Sequence, residues 1–376
     1  MKISQAPKFA VSTFIDAKAH SIQAQVLGGV DQFVKASKAN DGDLVVRLDG
    51  PRSPRALQFA TAAGFVTAGA GLAAAGWALA SYPGLAAGGL LGLYVASQAE
   101  DHLRQALKAP EWKGNQPHQL GSGPLPQSQG QPAEKLKQLI QSNLKDFPSS
   151  RQVVSLAGHG NHEQVGPLTY QETAKALQGN PVEQVILDTC LGGQLEVLAR
   201  LAPWSQFMIA SPQPIPALGL PFEKMFAPEQ LDKNPRQLAH SWVEQGSKIT
   251  PSLAAWDSGQ FQNALLPALD QLGAKLAGED RAEIRKALRR SDSPDWLPSG
   301  RVDLGSFLKN LDQVKLSPEN QQLAQNAREA FQSSLVNQQN DKTLTFHLKR
   351  ERTDESLPQG WRDFLKAADF RLKPWI

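Results

Sequence analysis

The sequence predicts an α/β fold: a mostly parallel sheet sandwiched by helices. Three observations carry the prediction. Between Gln152 and Ala210, short apolar runs alternate with segments of helical spacing, the order that a parallel sheet with crossover helices demands. The helix-like segments close on stop signals such as Gly179. With 376 residues, 41% of them hydrophobic, the chain can bury a large core.

Four regions divide the chain. Residues 1–55 read as mixed helix and loop, with helical spacing at Ile22, Val26, Val30 and Phe33, and a strand at Asp43–Leu48 that could open the sheet. Residues 56–108 form an Ala/Gly-rich helical hairpin inserted in the fold. No charged residue falls between Arg55 and Glu100, Ala and Gly make about half of that stretch, and Ser81-Tyr82-Pro83-Gly84 marks the turn between its arms. The first arm is long enough for a bilayer, which needs roughly 20 residues, and its glycines would let helices approach closely. The second arm is short, so the same stretch reads equally as a buried hairpin or as a patch that docks on a partner. Residues 109–132, rich in Pro, Gly and Gln, read as a flexible linker. Residues 133–376 form the main domain.

Within that domain Ala133–Leu144 is a helix with Leu136, Leu139, Ile140 and Leu144 on one face. Strand Gln152–Ala157 leads to Gly158-His159-Gly160, then to a polar loop (Asn161–Thr169) and helix Tyr170–Gln178. Strand Val182–Leu187 leads to Asp188-Thr189-Cys190 and helix Gly193–Leu201, and strand Gln206–Ala210 precedes a loop with four prolines. Helix Pro235–Gln245 has Asn234 placed as its cap. A strand at Thr250–Trp256 follows, then helices Ser258–Leu276, Glu279–Arg289, Leu304–Leu311 and Ser317–Leu335, an edge-like strand Thr343–Leu348 and a closing helix Trp361–Ala367. Trp204, Trp242, Trp256 and Trp361 read as core or pocket-wall residues.

The chemistry resides at two strand ends. Sites in open parallel sheets form at the carboxyl ends of strands, and neighbouring strands would place the His159 imidazole beside the only cysteine of the chain, Cys190. A thiol attacks carbonyls as the thiolate, and an adjacent imidazole can take its proton. The backbone N–H groups of Gly160 and Cys190 can form an oxyanion hole, and the N-terminus of the helix after Cys190 would favour the thiolate. Taken singly, the cysteine reads as a small buried hydrophobe and the His-Gly pair as a turn. A metal site of His159, His162 and Cys190 lacks a fourth ligand and the spacings of zinc sites.

These residues resemble a known family. His159-Gly160 and Asp188-Thr189-Cys190, each after an apolar strand, are similar to the signature of caspase-like cysteine peptidases, and most of all to the clostripain-like ones. The segments Cys190–Val197, Ile209–Ser211 with Pro216–Phe222, Pro251–Asp257 and Val302–Leu308 follow in the order of that family. The resemblance implies a caspase-like fold and a cysteine endopeptidase acting on peptides or proteins through a Cys190–His159 dyad, with Gly160 and Cys190 as oxyanion donors. It further implies cleavage after Arg or Lys, with Asp188 in the substrate pocket and Ser211 and Gln213 lining it. A turn-capping carboxylate is the plainer reading of Asp188. The specificity loop Ser211–Phe222 carries no acid, which departs from a basic preference. The resemblance calls for no cofactor or metal in the chemistry, although relatives include calcium-dependent enzymes. The alternative function is a non-catalytic caspase-like module docked to a membrane or partner by the apolar hairpin.

Composition excludes little else. A net charge of +3 gives no reason to expect nucleic acid. One cysteine rules out an intrachain disulfide. The first residues show no continuous apolar core of the kind a secretory signal has. The compartment stays open.

Overall fold

The computed structural model describes residues 7–15, 32–33, 35–40, 43–49, 118–120, 130–216, 219–279, 281–292, 300–348 and 354–367. The apolar hairpin at 56–99, and with it the membrane reading, lies outside these residues, as do Ile22, Val26 and Val30. Among the described residues no helix is long and apolar enough to cross a membrane.

The centre is an eight-stranded sheet. Its strands are β1 (Phe9–Ile15), β2 (Leu44–Asp49), β3 (His118–Leu120), β4 (Arg151–Gly158), β7 (Val182–Thr189), β8 (Ser205–Ala210), β9 (Ala254–Asp257) and β11 (Leu335–Gln338), in the order β11-β9-β8-β7-β4-β1-β2-β3. The run β8-β7-β4-β1-β2 is parallel, while β9, β11 and β3 add antiparallel edges. The remaining strands form two small pairs: a hairpin of β5 (Gln164–Val165) and β6 (Leu168–Thr169), and β10 (Arg301–Asp303) against β12 (Thr345–His347).

Side chains alternate between the two faces, as the pleat requires. Val154, Leu156, Val185, Leu187 and Met208 join one core with helices α1 (Pro132–Asp146), α2 (Tyr170–Leu177) and α3 (Leu195–Leu201). The later helices α5 (Leu266–Leu276), α6 (Arg281–Arg290), α7 (Leu304–Leu311), α8 (Pro318–Ser334) and α9 (Gln359–Ala367) contribute to the same core. Phe9, Val11, Val153, Ile186 and Ile209 face the second core, made by Phe33, the segment around Phe222 and Phe226, and α4 (Pro235–Gly246). Trp242, Trp256 and Trp361 are fully buried and Trp204 packs partly buried against the first core. The helix starts follow the expected chemistry. Asn234 accepts from Gln237 N in a reciprocal capping box at α4, and Thr169 with Glu172 does the same at α2. Such caps contribute about 1 kcal/mol each.

Three expectations change. Residues 9–15 form a strand, not helix or loop, and β1 takes the place beside β4 that the sequence offered to Asp43–Leu48. That second stretch is the next strand out, β2. Phe9 and Val11 enter one core and Phe14 the other, with Ser12 and Thr13 buried too, so the strand is buried on both faces, and Ser12 Oγ meets Asn143 Nδ2 of α1 at 2.8 Å. The stretch read as a linker contains β3, paired with β2 at Val46↔Leu120. Finally, the polar loop after His159 is not open but folds into the β5–β6 hairpin. The N-terminal strands are tied to the rest by Arg47, fully buried, whose Nη2 meets Asp146 Oδ2 of α1 at 2.7 Å.

Candidate active site

Register brings the two strand ends together. β4 and β7 are parallel neighbours, and their last partners are Gly158 and Thr189. His159 and Cys190 are each the next residue, so they leave adjacent strands at one level of the same sheet edge. His159 is exposed and Cys190 half-buried.

Gly160 shows why small size matters here. A Cβ on it would lie 1.9 Å from Thr189 Oγ1 and 2.8 Å from Cys190 O, so the backbones approach as closely as only glycine allows. Gly160 also bridges Val165 of the hairpin. The bonds of that bridge run from Asn161 N to Gln164 O (3.0 Å) and from Gly166 N to His159 O (2.7 Å). Gly160 is thus the non-hydrogen-bonded member, and its own N–H points away from the hairpin.

After Cys190 the chain turns through Leu191, a non-glycine residue with φ of 63°. The turn is pinned to the loop after β8: Leu191 N donates to Gln213 O at 3.3 Å and Gly193 N to Ser211 O at 2.8 Å. The Cys190 thiol faces Ile215 O at 3.8 Å. Burial pushes this thiol above its ordinary value, and the negative charge of Asp188 adds to that. The expected help from a helix N-terminus is absent: α3 begins only at Leu195.

Asp188 is buried on the second core's face, the same face as Ile186. Its Oδ1 accepts from Leu220 N at 2.9 Å, and a Cβ on Gly219 would fall 2.7 Å from Oδ2. Burial raises its carboxyl to about 7. It therefore braces the loop after β8 and does not cap α3, whose start has no side-chain cap. Ser211 is fully buried, its Oγ lying 2.7 Å from Ser252 Oγ and accepting from Gln213 N at 3.1 Å, bonds that anchor the loop. Gln213 is half-buried beside it. His162 lies against His347, ring centroids 5.3 Å apart, and the described residues hold no group of three His, Cys, Asp or Glu able to bind a metal ion.

The family model of the C11 peptidases, the clostripain family, matches residues 132–347. The chain belongs to the clostripain family. It is accordingly an enzyme of the cysteine peptidase type. Among solved structures this clostripain-family chain is similar to an inactive zymogen C11 protease from Parabacteroides distasonis, with a TM-score of 0.59 and 11% identity over 96% of this chain and 99% of that one. It is also similar to a secreted C11 cysteine protease from Bacteroides thetaiotaomicron in complex with an irreversible peptide inhibitor, with a TM-score of 0.56 and 11% identity over the same shares. At that identity the likeness establishes the shared fold. No curated protein matches the chain.

Four residues of this neighbourhood escaped the sequence reading. Thr189 is fully buried and its Oγ1 has no hydrogen-bond partner among the described residues. Ile215 meets the thiol through its backbone. Leu191 holds the strained turn. Tyr170, on α2, has a buried hydroxyl whose ionisation is pushed up by burial and then by Cys190. Only the two glycines after Leu191 hinted at any of this.

Proposed function

We propose that the chain is a cysteine endopeptidase in which Cys190 attacks the scissile carbonyl and His159 handles the proton. The supporting observation is the Gly158↔Thr189 register, since His159 and Cys190 are each the next residue along at the same sheet edge. Burial keeps the resting thiol protonated, so the proton passes to His159 as the sulfur–carbon bond forms. The N–H groups of Gly160 and Cys190 would receive the oxyanion, each such donor contributing about 3 kcal/mol to the transition state. His159 then returns the proton to the leaving amine. Water, deprotonated by His159, hydrolyses the thioester and frees Cys190.

The residue before the cut would enter the space under the loop Ser211–Leu220, where Asp188 is the buried acid. A lysine or arginine cation there would favour the ionised form of Asp188, whose proton passes to solvent, and pair with its carboxylate in a dry site. This supports cleavage after basic residues even though the loop itself carries no acid. The test is hydrolysis of reporter peptides carrying Arg, Lys or a neutral residue before the cut, by the wild type and by Cys190→Ala. Cleavage after Arg and Lys, lost in the variant, is expected. Hydrolysis of no peptide, together with no labelling of Cys190 by a thiol electrophile, would sink the reading.

A further inference from the structure

A second space opens on the other face of the sheet edge, beside the His159 hairpin. A cavity of about 700 Å³ is lined by His162, Glu163, Gln194, Glu196, Arg200 and Asp354, among others. A smaller one, about 240 Å³, shares Glu163, Glu196 and Arg200 with it and reaches Tyr170. Glu196 lines both.

Charge points to a cation. Among the described residues four carboxylates, counting Glu355, line the larger cavity against one arginine and two histidines, His162 and His347, with His162 Nε2 lying 3.1 Å from Glu163 Oε1. That arginine, Arg200, is already paired with Asp354. Glu196 supplies an independent sign. It is 7% exposed, its Oε1 accepts from His347 N at 3.2 Å, and its Oε2 has no hydrogen-bond partner among the described residues. Leaving such a group unsatisfied costs roughly 1–3 kcal/mol or more, and a cation in the cavity beside Glu196 would offset part of that through its charge. Burial raises its carboxyl to about 7, Asp354 adding to the effect, so an arriving cation would also fix it in the ionised form. The described residues do not converge on a metal ion. The volume suits an organic cation of side-chain length.

Topology gives the place of this cation in a substrate. Across the sheet edge the order is β8, β7, β4, hence the loop Ser211–Leu220, then Cys190, then His159 with the hairpin that carries His162 and Glu163. A peptide lying over Cys190 with its leaving amine at His159 keeps its acyl half on the β8 side, near Asp188. Its amine half runs toward the hairpin and the mouth of the cavity, where Glu163 is exposed.

We propose that this cavity is a subsite for a lysine or arginine side chain downstream of the scissile bond, with Glu196 as its buried counter-charge and Glu163 at its mouth. The enzyme would then select a basic residue on each side of the cut. The proposal rests on the peptidase reading above, and its test separates the two.

Internally quenched peptides with a fixed residue before the cut and Lys, Arg, norleucine or Glu at each of the first four positions after it would be compared within each enzyme. The wild type should prefer Lys or Arg over norleucine at one position by about tenfold in kcat/KM, a gap of about 1.4 kcal/mol. In Glu196→Gln that ratio should fall to about twofold or less, and in Glu163→Gln, at an exposed position, it should fall about threefold. Equal rates for all residues at every position, or an undiminished ratio in both variants, overturns the proposal. The second arm uses no turnover: the thermal upshift of Cys190→Ala with acetyl-lysine methylamide against the norleucine analogue. A lysine upshift that Glu196→Gln removes, with no peptide hydrolysed by the wild type, supports the cation cavity and overturns the peptidase reading. Peptide hydrolysis without any downstream basic preference or lysine upshift does the reverse.

Discussion

Asp188 and Glu196 flank the turn that carries Cys190, one on each face of the sheet, and both are raised by burial to about 7. Their supports differ. Asp188 is a strand residue held by Leu220 N, from the loop that follows the next strand. Glu196 is a helix residue held by His347 N, and the strap around His347 also grips the turn, Thr345 N donating to Gly193 O at 3.0 Å. The contrast teaches that similar desolvation can arise from different supports. Asp188 is organised by the loop after the neighbouring strand, Glu196 by a segment distant in sequence. A chain cut short before β12 would keep the first arrangement and lose the second.

The largest effect tests whether both carboxylates answer to one thiol. Cys190→Ala should lower kcat by about 10⁴-fold or more on every peptide, whatever flanks the cut, as read by product release under single-turnover conditions. Residual activity that still distinguished basic from neutral residues would break the comparison at its root. Next comes Gly160→Ala, whose methyl would overlap Thr189 Oγ1 and Cys190 O. A drop in kcat of about 10²-fold with little change in KM is expected, since the donor it displaces acts in the transition state.

Asp188→Asn sharpens the comparison on the acyl side alone. The amide oxygen can still accept from Leu220 N, so the loop should stay closed while selectivity for Arg or Lys over norleucine before the cut falls about tenfold or more. If that selectivity survives while the downstream preference disappears, the two carboxylates have been assigned to the wrong halves.

The pH dependence of stability treats them as a pair. Each has a folded value above its ordinary one of 3.8 or 4.5, so the folded chain holds more protons than the unfolded one between about pH 4 and 7. Their contribution to stability falls as pH rises through that window and levels off above it, by on the order of 1 kcal/mol or more for each. Denaturant midpoints at pH 5 and pH 8 should show a smaller decline in Asp188→Asn and in Glu196→Gln than in the wild type. Equal declines in all three would show that burial acts on the two groups less than their surroundings suggest. The smallest effect belongs to Ser211→Ala, which should cost about 1 kcal/mol in stability, through the lost Ser252 and Gln213 bonds, and only a few-fold in kcat/KM.

The parallel core of the fold was legible because its signals are local. Runs such as Val182–Leu187 and Gln206–Ala210 can bury two faces only in a covered sheet, and Asn234 and Gly179 mark helix ends by their own chemistry. β1 escaped because its alternation is interrupted by Ser12 and Thr13, whose burial depends on partners such as Asn143 far along the chain. β5 and β6 escaped because two-residue strands leave no period to read. In the site, His159 and Cys190 stood out by their chemistry, whereas Thr189, Ile215 and Glu196 matter by what they face.

Read as a string of residues, the chain already shows that it is α/β, that two reactive side chains end apolar strands, and that these residues resemble the clostripain-like peptidases. Local patterning and residue chemistry suffice for that much. The folded arrangement was needed to show that β4 and β7 are neighbours in matching register, that Ser211 is buried against Ser252, and that Asp188 and Glu196 lie on opposite sides of one turn. Those facts depend on strand order and on contacts between residues far apart in the chain, which the folded core fixes and no local pattern encodes.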